Sequence, residues 1–297
     1  MTTNVNSAPT ILITGATGAI GTELTKILSA QGIPFRAMVR SRKDAQALVT
    51  LAGADVVAGD FNDPATIAQA LKGMERAFLL TNSSEQAEAQ QLAFVTEAKR
   101  SGLQHIVKLS QLAASVDSSV RFLRYHAVVE QAIRKSGINF TFLRPNLFMQ
   151  GLLGFRESIT RQGMFFAAIG DATISIIDIR DIAAVAAIAL TGSSHEGKIY
   201  TLTGPQSLTH SEMAEELSTA LSKRVTFVDI PSDAMREALL GAGFPTWQAD
   251  GLIEDYAHYS RHEASVVTSD VRDVTGTSPR AFADFARDYA PAFAQLI

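Results

Sequence analysis

The sequence of 297 residues contains no cysteine, which excludes disulfide bonds, thiolate catalysis and cysteine-bound zinc. It also lacks any run of about 18 apolar residues, the length that a membrane-spanning helix needs. The segment 1–9 has neither the basic nor the apolar stretch of a signal peptide, so we expect a flexible terminus and a cytoplasmic protein. A formal net charge of -4 offers no basic surface for phosphate backbones, and we expect neither a nucleic-acid nor a membrane partner.

Hydrophobic residues make up 46% of the chain, and their pattern alternates regularly over its first half. Strand patterns occur at 10–14, 35–39, 55–58, 77–80, 105–109 and 140–143. Helical spacing occurs between them, at about 19–31, 42–52, 64–72, 86–101 and 120–136. Strands that alternate with helices indicate the α/β class, and right-handed crossovers then give a Rossmann doubly wound parallel sheet.

The alternation loosens after residue 146, which predicts a smaller α/β lobe in the C-terminal half. Helices are predicted at about 148–161, 179–190, 231–241, 246–263 and 279–289, with a strand at 198–202. Thr209 followed by Glu212 forms a capping box that predicts another helix start. We therefore expect a Rossmann domain at 10–146 and a substrate-binding lobe at 147–297 that packs interleaved with it.

A glycine-rich turn follows the first strand and opens the first helix. Gly15 allows the tight turn, Gly18 admits a pyrophosphate, and Gly21 lets the helix pack close to the strand. The amides of this helix start form an anion site. The alternative is a strand–helix turn that binds nothing. The residues of this turn that we expect to contact a dinucleotide are Gly15, Thr17, Gly18, Ala19 and Ile20.

The end of the second strand predicts NADPH rather than NADH. An NAD site places a carboxylate there for the ribose 2′-hydroxyl, whereas this chain places Arg40, followed by Arg42 and Lys43. Arg40 and one of the other two cations are expected to pair with a 2′-phosphate. The alternative is a solvated basic helix start.

Further cofactor contacts are expected after the later strands. Asp60 follows the third strand and is expected to accept a hydrogen bond from the adenine amino group, with Phe61 beside the ring. Alternatively, Asn62 or Asp63 caps the next helix while Asp60 shapes a turn. The remaining expected cofactor contacts are Leu80, Thr81, Asn82, Glu130 and Pro145.

The chain resembles the atypical short-chain dehydrogenase/reductases, and within them the NmrA-like branch. The resemblance spans nearly the whole chain and rests on 14–21 (TGATGAIG), 39–40 (VR), 59–60 (GD), 136–138 (SGI), 143–146 (LRPN), 177–183 (IDIRDIA) and 277–280 (TSPR). It implies an NADPH-dependent reductase of quinones, azo dyes or triphenylmethane dyes. The branch also contains regulators that bind dinucleotides without known catalysis, so an NADP-sensing regulator is the alternative.

The chain departs from the superfamily at its catalytic motif, because none of its five tyrosines is followed by lysine four residues later. In the expected helix, His126 and Glu130 lie one turn apart instead. His126 is expected to act near the nicotinamide or the substrate, with Glu130 orienting it or raising its pKa. Alternatively, Glu130 holds the backbone around 144–146 or bonds to a neighbouring helix. Ser110 matches the superfamily's catalytic serine, and Lys108 is expected to face the same cleft.

Without the tyrosine, the expected acceptors are conjugated electrophiles, because their reduced forms need a proton donor less than an alkoxide does. A sugar epimerase is disfavoured for the same reason, since it depends on that base. A flat substrate needs an apolar, aromatic site. The residues expected to line it are Asn146, Phe148 and Trp247. We predict no metal site, and we expect a small conjugated substrate and possible homodimerisation.

Overall fold

The computed structural model describes residues 8–294, apart from the side chains of Arg42, Asp44 and Ala294. Most of the segment 1–9 therefore lies outside the described residues. The main sheet is parallel and has seven strands, which are β1 (Ile11–Ile13), β2 (Phe35–Val39), β3 (Ala54–Ala58), β4 (Arg76–Leu79), β5 (His105–Leu109), β6 (Asn139–Pro145) and β8 (Lys198–Leu202). Their order across the sheet is β3-β2-β1-β4-β5-β6-β8. The predicted doubly wound sheet is confirmed.

Helices cover both faces of this sheet, and further helices build the C-terminal lobe. They are α1 (Ala19–Ala30), α2 (Gln46–Val49), α3 (Pro64–Leu71), α4 (Ala87–Arg100), α5 (Arg121–Ser136), α6 (Arg156–Gln162), α7 (Ile179–Thr191), α8 (His210–Leu221), α9 (Ser232–Gly241), α10 (Thr246–Ser260), α11 (Asp270–Thr275), α12 (Phe282–Asp288) and α13 (Ala290–Ala294). Short 3-10 helices precede α2 and α6, at Arg42–Ala45 and Met149–Phe155. No helix in the described part of the chain is long and apolar enough to cross a membrane.

The central strands are buried on both sides, which explains their continuously apolar sequences. In β4, Ala77, Phe78 and Leu79 have no exposed surface. Every residue of β5 is also buried, including the polar His105 and Lys108. Strands covered on both faces by helices have no solvent side, so they lose the alternation of apolar and polar residues that marks a half-exposed strand.

The chain returns to the sheet after residue 146. Strand β8 pairs with β6 at the sheet edge, and α7 packs against α1 on one face. The remaining segments form a separate core around a two-stranded parallel sheet of β7 (Met164–Ala167) and β9 (Thr226–Asp229). Helix α8 begins with the predicted capping box of Thr209 and Glu212. The division at 146 stays a prediction, and the segments that follow it contribute to both cores.

Close packing of α1 on the glycine-rich turn generates a stability prediction. A Cβ atom at Gly21 would lie 2.1 Å from the carbonyl oxygen of Gly15 and 2.7 Å from the Cα atom of Ala16. Both obstacles are backbone atoms, which cannot rotate away. We expect Gly21→Ala to lower the free energy of unfolding by about 2 kcal/mol or more, measured by urea denaturation.

Gly241→Ala is the matched control, because nothing lies within 4 Å of the Cβ atom it would add. That substitution, at the end of α9, is expected to leave stability unchanged or slightly higher. Equal stability of the two variants would contradict the packing argument.

Candidate functional site

The glycine-rich turn is tied to the end of β4. The Thr14 hydroxyl donates to the carbonyl oxygens of Phe78 and Leu80 at 2.9 and 3.0 Å. Gly15 has φ of +62°, and a Cβ there would lie 2.9 Å from Leu80. Gly18 is the N-cap of α1 and offers no capping side chain, and the first turn of α1 contains no acidic residue. The free amides and the positive end of the helix dipole therefore stay available to an anion.

A long groove of about 850 Å³ begins at this turn and crosses the carboxyl ends of the strands. It brings together most of the residues predicted to contact the cofactor. These are Gly15, Thr17, Gly18, Ala19, Ile20, Arg40, Asp60, Phe61, Leu80, Thr81 and Asn82. Phe148, predicted as a substrate contact, lines the other end of the long groove.

The exposed side chain of Arg40 follows β2 at the edge of the long groove. Lys43 is exposed and does not line it, and the Arg42 side chain lies outside the described part of the structure. Asp60 lines the long groove while its carboxylate accepts the Asn62 N–H at 2.8 Å, so it also shapes a turn. Asp63 caps α3 by accepting the Ala65 N–H.

A second, smaller space of about 250 Å³, here called the polar pocket, continues from the long groove. The two share Leu80, Thr81, Leu109 and Phe148. Its polar side chains come from the segments that follow β4, β5 and β6 and from α4, α5 and α10. They are Thr81, Ser83, Gln91, Ser110, Gln111, Tyr125, His126, Asn146, Gln248, Asp255 and Tyr259.

Lys108 lies behind His126 and fixes its orientation. The Lys108 Nζ is 2.7 Å from His126 Nδ1 and donates to the Leu109 carbonyl at 2.9 Å. Burial lowers the pKa of Lys108 to about 7, although nearby Glu130 opposes this. Burial, and then the charge of Lys108, hold the pKa of His126 well below its usual range. His126 is therefore neutral, and with Nδ1 accepting from Lys108 its Nε2 carries the hydrogen.

Glu130, predicted as a cofactor contact, lines neither the long groove nor the polar pocket, and only 1% of its surface is exposed. Its carboxylate accepts two hydrogen bonds from Arg144, at 2.6 and 2.9 Å, and one from the Ser110 hydroxyl at 2.7 Å. Glu130 thus binds side chains at the ends of β5 and β6 rather than the backbone, and Lys108, not Glu130, is the partner of His126. Lys108 itself is fully buried.

The predicted substrate residues differ in their placement. Phe148 lines the long groove and the polar pocket, and Asn146 lines the pocket while its amide donates to Ser175 and the Ala264 carbonyl. Pro145, predicted as a cofactor contact, lines the polar pocket and not the long groove. Trp247 lies outside the lining and packs on the Phe122 ring at 5.3 Å, whereas the next residue, Gln248, lines the pocket.

Sequence reasoning missed the wall that α10 contributes. Gln248, Leu252, Asp255 and Tyr259 line the polar pocket, and their spacing of four, three and four residues places them on one helical face. Asp255 is only 5% exposed, and its carboxylate accepts from the Gln111 amide and the Tyr259 hydroxyl. A carboxylate that shares one helical face with Leu252 and Tyr259 was the signal that could have identified it.

A larger space of about 570 Å³, here called the apolar cavity, adjoins the polar pocket on the side of the C-terminal lobe. Phe148, Leu147 and Leu252 line both. Its other aromatic residues are Phe155, Phe165, Phe166, His210, Phe244 and Tyr256.

Among the described residues, no group of three or more His, Asp or Glu side chains is placed to hold a metal ion.

The buried Lys108 generates a prediction for stability against pH. Its pKa is about 7 in the folded protein and 10.5 as a free side chain, so between these values the unfolded chain binds a proton that the folded chain does not. Stability contributed by Lys108 therefore rises with pH across this window. We expect wild type to gain stability relative to Lys108→Met between about pH 7 and pH 10, measured by urea unfolding.

The exposed Lys99 on α4 provides the control. The free energy of unfolding of Lys99→Met is expected to change with pH in parallel with that of the wild type. A Lys108→Met profile that also ran parallel to wild type would show that Lys108 titrates normally.

The whole chain is similar to known NAD(P)H-dependent reductases. It is 37% identical to an NAD(P)H azoreductase of Xenophilus azovorans, over 95% of this chain and 99% of that protein. The fold is similar to the NADPH complex of quinone oxidoreductase QOR2 from Escherichia coli, with TM-score 0.85, 29% identity and coverage of 94% and 99% of the two chains. It is also similar to Citrobacter sp. triphenylmethane reductase complexed with NADP(H), with TM-score 0.84, 27% identity and the same coverages. Residues 7–275 match the NmrA-like family, and the chain belongs to this family, as predicted.

Proposed function

We propose that this protein is an NADPH-dependent oxidoreductase that transfers hydride to a conjugated electrophile such as a quinone, an azo compound or a triphenylmethane dye. One observation carries the proposal: the long groove opens into the polar pocket at Leu80, Thr81, Leu109 and Phe148. A dinucleotide held by its phosphates at the amides after Gly18 and at Arg40 would have its far end toward this pocket. The predicted reductase activity and the predicted NADPH agree with the azoreductase, quinone reductase and dye reductase relatives.

The residues present fit this cofactor. The uncapped amides at Gly18 would hold the pyrophosphate, and Arg40 would hold the 2′-phosphate with charge-assisted hydrogen bonds. No carboxylate follows β2 at the position that would bind a 2′-hydroxyl, since Val39 and Arg40 stand there. NADPH supplies a hydride when bound, and the protein supplies binding, orientation and exclusion of water.

His126 contributes a hydrogen-bond donor to the polar pocket. Lys108 occupies Nδ1, so the Nε2 hydrogen of the neutral imidazole is the one available to an acceptor atom of the substrate. Such a fixed donor stabilises negative charge that develops on that atom during reduction. Burial beside Lys108 keeps the imidazole neutral, so His126 polarises the substrate without giving up its proton.

The two spaces together favour an extended aromatic substrate. The polar pocket takes the reacting group, while the apolar cavity beyond Phe148 and Leu252 takes the bulk of a larger dye or quinone.

A location in the cytoplasm and a homodimer belong to the same proposal, and sedimentation of the purified protein tests the dimer.

The proposal is tested by following the oxidation of NADPH with a quinone, an azo dye, a triphenylmethane dye and a simple ketone. We expect turnover with the conjugated acceptors and none with the ketone. Fluorescence measures cofactor binding in the same samples. Tight NADPH binding without turnover on any acceptor would contradict the reductase and favour the NADP-sensing regulator.

Arg40 sets the preference between the two nicotinamide cofactors. We expect Arg40→Asp to weaken NADPH binding by about tenfold or more, because a charge-assisted hydrogen bond is lost and a repulsive charge is added. NADH binding is expected to change by about twofold at most. Binding is measured by fluorescence titration, with the exposed Arg224 changed to Asp as a charge-matched control outside the long groove. Equal losses for both cofactors would refute the assignment.

His126 is expected to act on turnover rather than on cofactor binding. Loss of one fixed donor to developing charge costs about a hundredfold in rate, so His126→Ala should lower kcat by about that factor. The Kd for NADPH should stay within about twofold of wild type. His195→Ala, which changes a histidine on the loop before β8, serves as the control. An unchanged kcat in His126→Ala would assign that residue a structural role only.

A further inference from the structure

A buried carboxyl group forms part of the polar pocket wall without a cationic partner. Asp255 on α10 is 5% exposed. The Gln111 amide donates to its two oxygens at 3.1 and 2.8 Å, and the Tyr259 hydroxyl donates at 3.1 Å. Among the described residues, no lysine or arginine forms an ion pair with it. Carboxylates this deep are normally paired with a cation, so its placement in a pocket indicates a function.

The other polar groups of the polar pocket are poor proton donors. His126 is neutral and tethered to Lys108, and the Ser110 hydroxyl is committed to Glu130. Burial raises the pKa of Tyr125 to about 12. Lys108 titrates near neutral pH but does not line the pocket. A reduction that requires a proton therefore needs another source within this pocket.

We propose that Asp255 is the catalytic acid of this enzyme, delivering a proton to the acceptor atom that becomes negative during reduction. The inference rests on the proposed function. An azo substrate takes two electrons as a hydride on one nitrogen. The O–H bond of Asp255 then breaks and an N–H bond forms on the other nitrogen, which gives the hydrazo product. The resulting carboxylate is stabilised by Gln111 and Tyr259, and water restores its proton.

The acidity of Asp255 suits this role. Burial raises its pKa to about 6, while the hydrogen bonds from Gln111 and Tyr259 act in the opposite direction and the charge of Glu254 adds to the rise. The other titratable groups that face it are Tyr125 of α5 and Tyr256 of α10. Arg121 is engaged by Glu254 rather than by Asp255. The acid form is populated below about pH 6, so a step that uses it slows as the pH rises above that value.

Acceptors that differ in their need for a proton separate this role from a structural one. An azo dye needs a proton on nitrogen, whereas the cationic carbon of a triphenylmethane dye needs only the hydride. We expect Asp255→Asn to lower kcat for the azo dye by about a hundredfold. The kcat for the triphenylmethane dye is expected to change by about twofold at most. Asp250→Asn, on the same helix but paired with Arg236, should leave both rates unchanged.

A second variant tests the direction of the pH dependence. Tyr259→Phe removes a donor that lowers the pKa of Asp255. We expect the falling limb of the azo-dye kcat profile to lie near pH 6 in wild type, to move to higher pH in Tyr259→Phe, and to disappear in Asp255→Asn. Infrared spectra of the cofactor-free protein give a readout independent of turnover. A protonated carboxyl band should appear below about pH 6 and be missing in Asp255→Asn.

The outcomes distinguish the two proposals. If the wild type reduces both dyes, the Asp255→Asn variant tests the role of Asp255. An equal loss of kcat on both dyes, or no loss on either, would overturn the role of Asp255 and leave the proposed function intact. An infrared band unchanged by Asp255→Asn would also overturn it. No turnover by wild type on any acceptor would overturn the proposed function itself.

Discussion

The ion pair between Glu130 and Arg144 is the interaction on which the catalytic edge of the sheet depends. A carboxylate buried to 1% exposure is tolerated only when its charge and its lone pairs are satisfied, and here Arg144 binds it through two nitrogens while Ser110 donates a third hydrogen bond. The pair joins α5 to the ends of β5 and β6. Glu130 also favours the charged form of Lys108, and it therefore opposes the lowering of the Lys108 pKa by burial. That balance allows a lysine to lie behind His126 and set its hydrogen-bonding direction.

The polar pocket exists because the C-terminal segments close over this edge. Arg121 at the start of α5 binds the carboxylate of Glu254 at 2.6 Å and the carbonyl oxygen of Trp247 at 3.0 Å, which ties α10 to α5. Asn146 donates to the carbonyl of Ala264, which ties the segment after α10 to the end of β6. Trp247 therefore supports α10, one wall of the polar pocket, from outside and does not line the pocket itself. The site therefore depends on docking of the lobe, and loss of these ties would open it to water.

The sequence alone was sufficient for features that are local or strongly periodic. The glycine-rich turn, the parallel sheet and the capping box at Thr209 are encoded by neighbouring residues, and the structure has all three. The pairing of β7 with β9 was missed, because four-residue strands separated by about sixty residues carry no detectable period. The partner of His126 was also missed. Helical spacing favoured Glu130, but Lys108 on a neighbouring strand lies closer, and contacts between elements are set by packing rather than by spacing.

The arrangement around His126 determines which acceptors suit this site. A tyrosine–lysine pair gives a localised alkoxide its proton at the moment of reduction, and this chain has no such pair. A neutral imidazole can only share its hydrogen, and the carboxyl of Asp255, with a pKa raised by burial to about 6, is mostly ionised at neutral pH. These groups suit an acceptor whose new charge spreads over a conjugated system better than one whose charge stays on one oxygen. Selection by charge delocalisation therefore operates in the polar pocket, and selection by size operates in the apolar cavity beyond Phe148. Because the two criteria are set by different side chains, acceptors as unlike as azo dyes and quinones can satisfy both.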